Sequence, residues 1–483
     1  MVPVRWVVAL LLAVLAAVGL VACGDDDGTA AGRPSTTAPA DQPNVVVVMT
    51  DDQTVESVRV MEAVRERIGE AGTTFTRAYA SYPLCCPSRA SFLTGQYAHN
   101  HGVRDNVPPV GGFSRLEGDE TIAVWLQRAG YRTVHVGKYL NQYGKDNPPV
   151  APPGWEEWFG LVDPSTYQYF DYWMSTRLGP RQYGEEEGDY QTDVLADIAV
   201  ERIERFAEDD RPFFLSVAPL APHSTGRIDA DEGLTNMPPV PAPRHAGRFD
   251  GEPLPASPAF DEEDVGDKPR FVQDLPRIDD AERARLTEWY QAELESLLAV
   301  DEAVGRILDA LEELEILDET IVVFTSDNGF LHGEHRLVED KRFLYEPAAG
   351  VPLLVRGPGF EAATTVDTPV ANIDLAPTFL AAAGARAGIP VDGVSLVDAD
   401  AQADRAVFLD NRNDGPRVQT TGIVTTRYTY FEHSTGEREL YDLGTDPHQL
   451  ENLAGSDAVA DVEADLAERL ERLRRCAGRI CTQ

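Results

Sequence analysis

The run Asn44-Val45-Val46-Val47-Val48-Met49 is followed at once by Thr50-Asp51-Asp52-Gln53. The four consecutive valines predict a short β-strand that is buried on both faces, as in a parallel sheet. Two adjacent carboxylates directly after such a strand are costly to hold together unless a cation or positive side chains compensate their charge. This stretch therefore predicts a central strand that ends in a polar, cation-binding edge.

A second stretch repeats this design later in the chain. Ile321-Val322-Val323-Phe324-Thr325 ends in Ser326-Asp327-Asn328-Gly329. Together the two stretches offer three carboxylates and one amide oxygen, a hard oxygen set that suits Ca²⁺ or Mg²⁺ rather than zinc. Either stretch alone is compatible with ordinary turn chemistry. The pair, each closing a buried strand, favours a metal site.

Other segments alternate between strand and helix patterns. Strand candidates cover residues 133–136, 211–218 and 351–355, and the apolar spacing from Leu286 to Leu311 predicts a long helix or a broken pair of helices. Such alternation predicts an α/β fold whose mostly parallel sheet is covered by helices on both sides. Sites in such folds lie beyond the carboxyl ends of the strands.

The stretch Leu84-Cys85-Cys86-Pro87-Ser88-Arg89-Ala90-Ser91-Phe92-Leu93-Thr94-Gly95 predicts a short helix with reactive groups. Pro87 suits a first helical turn and Gly95 is a natural C-terminal stop. Cys85 then lies at the helix N-terminus, which attracts anions, and Arg89 lies one turn further on the same face with a fork of donors. The alternative is a structural cysteine pair, although a disulfide between adjacent cysteines would be strained.

These residues resemble the signature of the cysteine-type sulfatases, in which the first cysteine is oxidised to formylglycine and the hydrated aldehyde is the nucleophile. The resemblance rests on Cys85-x-Pro87-x-Arg89 and its continuation through Thr94-Gly95. It implies an alkaline-phosphatase-like α/β fold with a mixed, mostly parallel sheet and a smaller C-terminal α+β subdomain. It also implies that a formylglycine-generating enzyme matures the protein.

The resemblance also implies roles for individual residues. Catalytic roles fall to Cys85, Arg89, Lys138, His223 and Lys341. The metal ligands would be Asp51, Asp52, Asp327 and Asn328, with calcium favoured over magnesium. A single lysine usually lies on the solvated surface, and a single histidine usually has a structural role. The assignments of the lysines and of His223 therefore depend on where these residues lie relative to the motifs.

One position departs from the family pattern. Many members have a histidine two residues after the lysine matched by Lys138, whereas Gly137-Lys138-Tyr139-Leu140-Asn141 has Leu140 there. The candidates to replace that histidine are His99, His101, His332 and His335, and Asn141 is another possible contact. This variant, with His99-Asn100-His101, is most similar to the N-acetylglucosamine-6-sulfatase and arylsulfatase branch, which implies a sulfated sugar or aryl sulfate as substrate.

The termini predict export. Residues 1–22 read as a lipoprotein-type signal peptide, and Leu20-Val21-Ala22-Cys23 resembles a bacterial lipobox that places a lipid on Cys23. An uncleaved anchor or an ordinary secretory signal are the alternatives. Residues 23–43 are then a flexible tether, 44–400 the catalytic domain with an irregular insertion at 224–279, and 401–483 a small C-terminal subdomain. This subdomain is expected to end in a helix, whose apolar stripe is Val459, Val462, Leu466, Leu470 and Leu473. We therefore expect an extracytoplasmic, membrane-anchored protein at the cell surface or in the periplasm.

The net charge limits the classes of binding partner, and the cysteine count predicts one disulfide. The formal charge is −39, which argues against nucleic acid and requires that a site for a sulfated substrate be locally cationic. If Cys85 becomes formylglycine, Cys476 and Cys481 are left to form a small disulfide loop, with Cys86 a buried thiol.

Two other functions compete with sulfate ester hydrolysis. The same layout of metal and nucleophile serves phosphodiester and phosphonate monoester hydrolases of related fold. A degenerate, non-catalytic surface lipoprotein that binds sulfated glycans is the third possibility, against which the intact Cys85 argues.

Overall fold

The computed structural model describes residues 42–145, 149–229, 233–255, 257–402, 404–412 and 417–482. The predicted signal segment, Cys23 and all but the last two residues of the predicted tether lie outside these ranges, so export and lipid anchoring stay predictions. Among the helices of the described ranges, none combines the length and the hydropathy that crossing a bilayer requires.

Twenty strands and nine α-helices occur in the described ranges. The strands are β1 (Asn44–Thr50), β2 (Thr73–Phe75), β3 (Ala78–Tyr79), β4 (Arg132–Gly137), β5 (Glu157–Leu161), β6 (Trp173–Thr176), β7 (Gly179–Gln182), β8 (Phe213–Ala218), β9 (Thr225–Asp229), β10 (Gly233–Met237), β11 (Thr320–Ser326), β12 (Leu331–His332), β13 (Val338–Asp340), β14 (Leu353–Arg356), β15 (Thr364–Val366), β16 (Val370–Ala371), β17 (Val407–Asp410), β18 (Thr420–Val424), β19 (Tyr428–His433) and β20 (Arg438–Asp442). The helices are α1 (Cys85–Thr94), α2 (Ala98–His101), α3 (Ile122–Arg128), α4 (Gln191–Phe206), α5 (Arg270–Gln273), α6 (Asp280–Glu313), α7 (Glu346–Ala349), α8 (Leu375–Ala382) and α9 (Ala460–Leu473).

The largest sheet has ten strands in the order β15-β2-β14-β11-β1-β8-β4-β5-β6-β7. Its centre is parallel, because β1 pairs with β11 and β8, and β4 pairs with β8 and β5. β14 and the edge hairpin of β6 and β7 run antiparallel to their neighbours. The predicted mixed, mostly parallel sheet is confirmed.

Helices cover both faces of this sheet, as the valine run of β1 predicts. Val45 and Val47 pack in one cluster with Trp125 of α3 and Phe379 of α8. Their neighbours Val46 and Val48 point to the other face, where residues of α4 and α6 complete a second cluster. Between the two alternatives for residues 286–311, the single long helix is correct, since α6 is unbroken.

The C-terminal part forms a smaller layer. Strands β17 to β20 make an antiparallel sheet, and the buried side of α9 packs against it, as the apolar stripe of that helix predicts. A disulfide joins Cys476 to Cys481 beyond α9 and confirms the predicted pairing. The domain boundary at residue 400 stays a prediction.

The predicted insertion at 224–279 is largely irregular where it is described. Its regular elements there are the β9–β10 hairpin and the short helix α5. Buried polar contacts hold it to the rest of the fold, because Glu262 lies 2.6 Å from His335 Nδ1 and Lys268, which pairs with Glu262, donates to the Leu450 carbonyl at 2.7 Å. The described part of the insertion is therefore packed rather than loose.

A buried ion pair joins the catalytic sheet region to the C-terminal layer. Both terminal nitrogens of Arg405, which precedes β17, donate to the Asp374 carboxylate at 2.7 Å. The two side chains are 2% and 0% exposed. Removal of one partner would leave the other charge buried and uncompensated.

We expect Arg405→Met to lower the free energy of unfolding by about 3–5 kcal/mol, the usual cost of breaking a buried pair from one side. Urea denaturation measures this change. Arg427→Met is the matched control, since its pair with Asp442 leaves the arginine side chain 62% exposed. The control should change stability by less than about 1 kcal/mol. Equal effects of the two variants would contradict the structural role of the Arg405 pair.

Candidate active site

The two acidic stretches meet at one edge of the central sheet. β1 and β11 are parallel neighbours in register, with Thr50 opposite Ser326. The residues that follow them are therefore adjacent, and the Asp52 backbone N–H donates to Asp327 Oδ1 at 3.2 Å. Lys138 follows β4 and His223 lies shortly after β8, so four strands deliver polar groups to the same edge.

The predicted reactive helix is α1, and it begins at Cys85. Gly95 ends it with a positive φ of 66°, and its N–H donates to the Ser91 carbonyl, as the predicted helix stop requires. Cys85 and Arg89 are both buried, on consecutive turns of the same face. The N-terminus of α1 thus points Cys85 into the polar edge of the sheet.

The guanidinium of Arg89 joins three elements. Its Nε donates to Asp327 Oδ2 at 2.7 Å, its Nη2 to Asp51 Oδ2 at 3.1 Å, and its Nη1 to the Lys138 carbonyl at 2.8 Å. The sequence suggested a free fork of donors for sulfate oxygens. Three of its five N–H donors hold two carboxylates and the end of β4, so Arg89 positions these groups, and its contact with sulfate oxygens stays a prediction.

Two lysines bring positive charge to Cys85. Lys341 Nζ donates to Cys85 Sγ at 3.1 Å and forms an ion pair with Asp52 Oδ1. Lys138 Nζ forms an ion pair with Asp51 Oδ2. The Cys85 thiol lies 3.5 Å from Asp51 Oδ1, to which it donates. Arg89, Lys138 and Lys341 therefore balance the three carboxylates of the site, so the site is far less negative than this strongly acidic protein as a whole, and a bound divalent cation would make it cationic.

The buried charges shift one another's pKa values. Burial alone would raise the pKa of Asp51, but Lys138, with Arg89 and Lys341, holds it well below its usual range. Burial and the Asp51 charge raise the pKa of Asp327 to about 6. Burial and the same carboxylate raise the pKa of the Cys85 thiol to about 12. An unmodified Cys85 is therefore protonated near neutral pH and is a poor nucleophile.

His223 lies beside this cluster with its ring orientation set by a backbone group. Its Nδ1 is 2.7 Å from the Ser224 carbonyl, which only accepts, so Nδ1 carries the hydrogen in the neutral ring. Its Nε2 then has a free lone pair, 3.6 Å from Asp52 Oδ2. Burial lowers the pKa of His223 to about 4 and favours this neutral form.

The chemistry of the residues fits a hard metal ion. Possible ligand atoms of Asp51, Asp52, Cys85 and His223 all lie within 4.8 Å of one another. The predicted ligand Asn328 lies beside them, since its amide donates to Asp52 Oδ1 at 2.6 Å. Its Oδ1 is buried and accepts no hydrogen bond from any described residue. An orphaned buried oxygen next to two carboxylates is what a cation ligand requires before the ion binds.

The position of the missing histidine is apolar and buried, since Leu140 packs in the hydrophobic core. Each of the four suggested replacements contacts a partner outside the predicted catalytic set: His99 the Cys476 carbonyl, His101 Ser91, His332 Glu293, and His335 Glu262. These contacts therefore do not support the suggestion from sequence that one of the four histidines replaces the family histidine at the position of Leu140.

Tyr167 lies in the site and was missed by sequence reasoning. Its hydroxyl accepts a hydrogen bond from Asn141 Nδ2 at 2.5 Å, so its own proton remains available for a ligand. Its ring centroid is 4.8 Å from Lys138 Nζ and 5.2 Å from the ring of His223. Burial raises the pKa of Tyr167 well above its usual value and keeps it protonated. No motif marks this residue in the sequence.

Comparison with known proteins gives consistent matches. Residues 43–385 match the family model described as Sulfatase, and residues 333–476 match the one described as N-sulphoglucosamine sulphohydrolase, C-terminal. The arylsulfatase of Volvox carteri is 34% identical, with 91% of this chain and 76% of that protein covered. The N-acetylglucosamine-6-sulfatase of Homo sapiens is 31% identical, with 91% and 86% covered.

Structural comparison agrees with these matches. A solved structure described as a complex with its substrate D-glucosamine-2-N,6-O-disulfate has a TM-score of 0.72 at 26% identity, covering 90% of this chain and 98% of that one. The fold is therefore that of the sulfatases. The chain belongs to the sulfatase family, as its reactive stretch suggested, and it is a sulfatase enzyme.

We expect Arg89→Lys to lower kcat for a sulfate ester about 100-fold, because misplacement of reacting groups by about 1 Å costs that much. Lysine keeps the charge but cannot span Asp51, Asp327 and the Lys138 carbonyl at once. Steady-state kinetics measure the effect. Arg67→Lys, on a surface arginine paired with Asp309 and Glu312, is the control and should keep full activity. An Arg89→Lys enzyme with more than half the wild-type kcat would refute the positioning role.

Proposed function

We propose that this sulfatase cleaves sulfate esters of a sulfated sugar through a formylglycine formed from Cys85, with Ca²⁺ bound at the acidic edge. The observation that carries the proposal is the setting of Cys85. Its Sγ lies at the start of α1, 3.1 Å from Lys341 Nζ and 3.5 Å from Asp51 Oδ1. As a thiol it is held in the unreactive protonated form, so conversion to an aldehyde supplies the nucleophile that the site lacks.

The first half of the reaction transfers sulfate to the enzyme. One hydroxyl of the hydrated formylglycine attacks sulfur in line, and the bond between sulfur and the sugar oxygen breaks. The hydroxyl proton passes to His223 Nε2 and from there to the leaving sugar oxygen. Lys138 and Lys341 stabilise the charge on the sulfate oxygens, and they are fixed in advance by Asp51 and Asp52.

The second half releases sulfate without attack by water. The remaining hydroxyl of the sulfated hydrate gives up its proton to His223 Nε2, the bond between carbon and the sulfate oxygen breaks, and the aldehyde is restored. Asp51, Asp52, Asp327 and Asn328 would hold the cation, which supplies Lewis-acid polarisation of the sulfate and of the hydrate hydroxyl. Tyr167, whose ring lies beside Lys138 and His223, would donate its hydroxyl proton to the sulfate group and so supply a contact that the family histidine makes where this chain has Leu140.

The sugar as substrate is supported by the relatives. Among them are the human N-acetylglucosamine-6-sulfatase and the structure with bound D-glucosamine-2-N,6-O-disulfate. We infer a sulfated amino sugar or a glycan that contains one, with aryl sulfates as small surrogate substrates. Anchoring at the cell surface through Cys23 would place the enzyme where such glycans are met.

Mass spectrometry of the tryptic peptide of residues 78–89 tests the nucleophile. Protein from a host that supplies the maturation enzyme should carry an aldehyde or its hydrate at Cys85 and an unmodified thiol at Cys86. Hydrolysis of a sulfate ester should disappear in Cys85→Ala and persist in Cys86→Ala, the matched control on the neighbouring position. The loss should exceed about 1,000-fold because removal of a nucleophile leaves only binding contributions.

Two outcomes would contradict the assignment of a formylglycine-dependent sulfate ester hydrolase. An active protein with both cysteines present as thiols would exclude formylglycine as the nucleophile. Turnover of an aryl phosphate diester above that of the matched aryl sulfate would favour the phosphoester hydrolase alternative.

Chelation tests the metal. Removal of divalent ions should lower kcat/KM at least about 100-fold, since Lewis-acid stabilisation contributes several kcal/mol. Added Ca²⁺ should restore activity more fully than Mg²⁺, because the paired carboxylates and amide form a flexible, all-protein oxygen set. The same addition should raise the melting temperature, because it relieves repulsion between Asp51 and Asp52. Activity that is unchanged after chelation, with no metal retained by elemental analysis, would contradict the metal site.

A further inference from the structure

A second cavity lies far from Cys85, at the opposite end of the parallel strands. It has a volume of about 660 Å³ and sits between the β6–β7 edge hairpin and the C-terminal part of α4. Arg132, which begins β4, and Glu157, which begins β5, form its floor. The candidate active site lies beyond the other end of β4, about 17 Å away along that strand.

The lining of this cavity is cationic in a protein of formal charge −39. Five arginines line it, Arg132, Arg177, Arg181, Arg202 and Arg205, against two glutamates, Glu156 and Glu157. Arginine is the residue best suited to bind sulfate, carboxylate or phosphate groups through paired N–H donors. An anionic ligand would be attracted to those arginines of the cavity whose charge no carboxylate neutralises.

The inner arginines are held rigidly. Glu157 accepts a hydrogen bond from Arg202 at 2.6 Å and forms ion pairs with Arg205 at 3.4 Å and Arg132 at 3.5 Å. Arg132 also lies 4.1 Å from the centroid of the Phe206 ring. Glu201 and Asp209 contact this group from outside the cavity and complete its charge balance. The inner group therefore forms a fixed wall whose charges are already matched.

The hairpin supplies the unmatched charge. Arg177 and Arg181 are exposed on either side of the β6–β7 turn, and neither forms an ion pair with any residue in the described ranges. Between them Leu178 is fully exposed, and Phe159 of β5 lines the cavity below. Arg177 donates to the Trp155 carbonyl at 3.4 Å and the Arg181 guanidinium lies 4.5 Å from the centroid of the Tyr183 ring, so each keeps N–H donors for an anion. Such groups beside apolar surface suit a ligand with anionic substituents on a partly apolar ring.

We propose that this cavity, named here the hairpin site, binds a sulfated sugar unit of a glycan chain without cleaving it. The assignment rests on the proposed function, because it takes the ligand to be another unit of the same polyanionic glycan. The separation of about 17 Å along β4 prevents one sugar unit from filling both sites. A chain that reaches both sites would gain affinity through the higher effective concentration of its second contact.

Binding in a Cys85→Ala background tests the hairpin site without turnover. The probes are sucrose octasulfate, a fully sulfated disaccharide, and inorganic sulfate, each titrated calorimetrically. The test variant Arg177→Ala/Arg181→Ala removes the two unpaired charges. The control variant Arg65→Ala/Arg479→Ala removes two exposed arginines elsewhere on the surface.

We expect the test variant to lose a binding event for the octasulfate, or to weaken it at least about tenfold, the effect of losing one charge-assisted contact. The control should keep that event within about twofold. Equal affinities in the two variants, or equal losses, would overturn the proposal. Octasulfate binding no tighter than inorganic sulfate would overturn the sugar assignment, since the site would then hold only a small anion.

Activity separates this proposal from the proposed function. With Cys85 intact, the test variant should hydrolyse a small aryl sulfate with kcat/KM within about twofold of wild type, because Arg177 and Arg181 lie outside the catalytic cluster. A large loss of aryl sulfate turnover in the test variant alone would contradict a non-catalytic site. Failure of the wild-type protein to cleave any sulfate ester would refute the proposed function, while the calorimetric result would still stand.

Discussion

The buried guanidinium of Arg89 is the contact on which the rest of the site depends. It projects from the first turns of α1 and joins Asp51 after β1, Asp327 after β11 and the backbone end of β4. These groups come from three separate parts of the chain, and each would be costly to bury alone. One planar group with donors in fixed directions makes their burial together possible, and in doing so it orients the helix that carries Cys85.

The electrostatics of the site follow from this arrangement. Three carboxylates and three cations alternate in a volume from which water is largely excluded, so each charge lowers the cost of burying its neighbours. Lys138 and Lys341 are immobilised by their ion pairs before any substrate arrives. A sulfate group therefore meets positive charge that needs no reorganisation, which is the condition for strong stabilisation of a transition state. In a protein of formal charge −39, this local balance of charge reduces the repulsion that a sulfate group would otherwise meet.

Burial of the site also makes an unmodified Cys85 thiol a poor nucleophile for attack on sulfur. A thiol that donates to Asp51 and is removed from water has a raised pKa, despite the nearby lysines and the helix N-terminus. If Cys85 is converted as proposed, the hydrated aldehyde would bring neutral hydroxyl groups to this buried position. Leu140 packs in the apolar core, and Tyr167, from another connection, lies beside Lys138 and His223.

Much of the fold and part of the site could be predicted from sequence, because their signals are local. The valine run of β1, the apolar stripe of α9, and Pro87 and Gly95 in α1 report on neighbours within a few residues, where periodicity and backbone preference act. The two acidic stretches could be paired because each follows a buried strand, and parallel strands end at the same edge.

What only the tertiary structure decided involves partners far apart in the chain. The donors of Arg89 are used by residues 38 and 238 positions away, and Tyr167 enters the site from a connection without a motif. The hairpin site gathers arginines from β4, α4 and the β6–β7 hairpin. Such contacts depend on packing and burial, which no local pattern encodes.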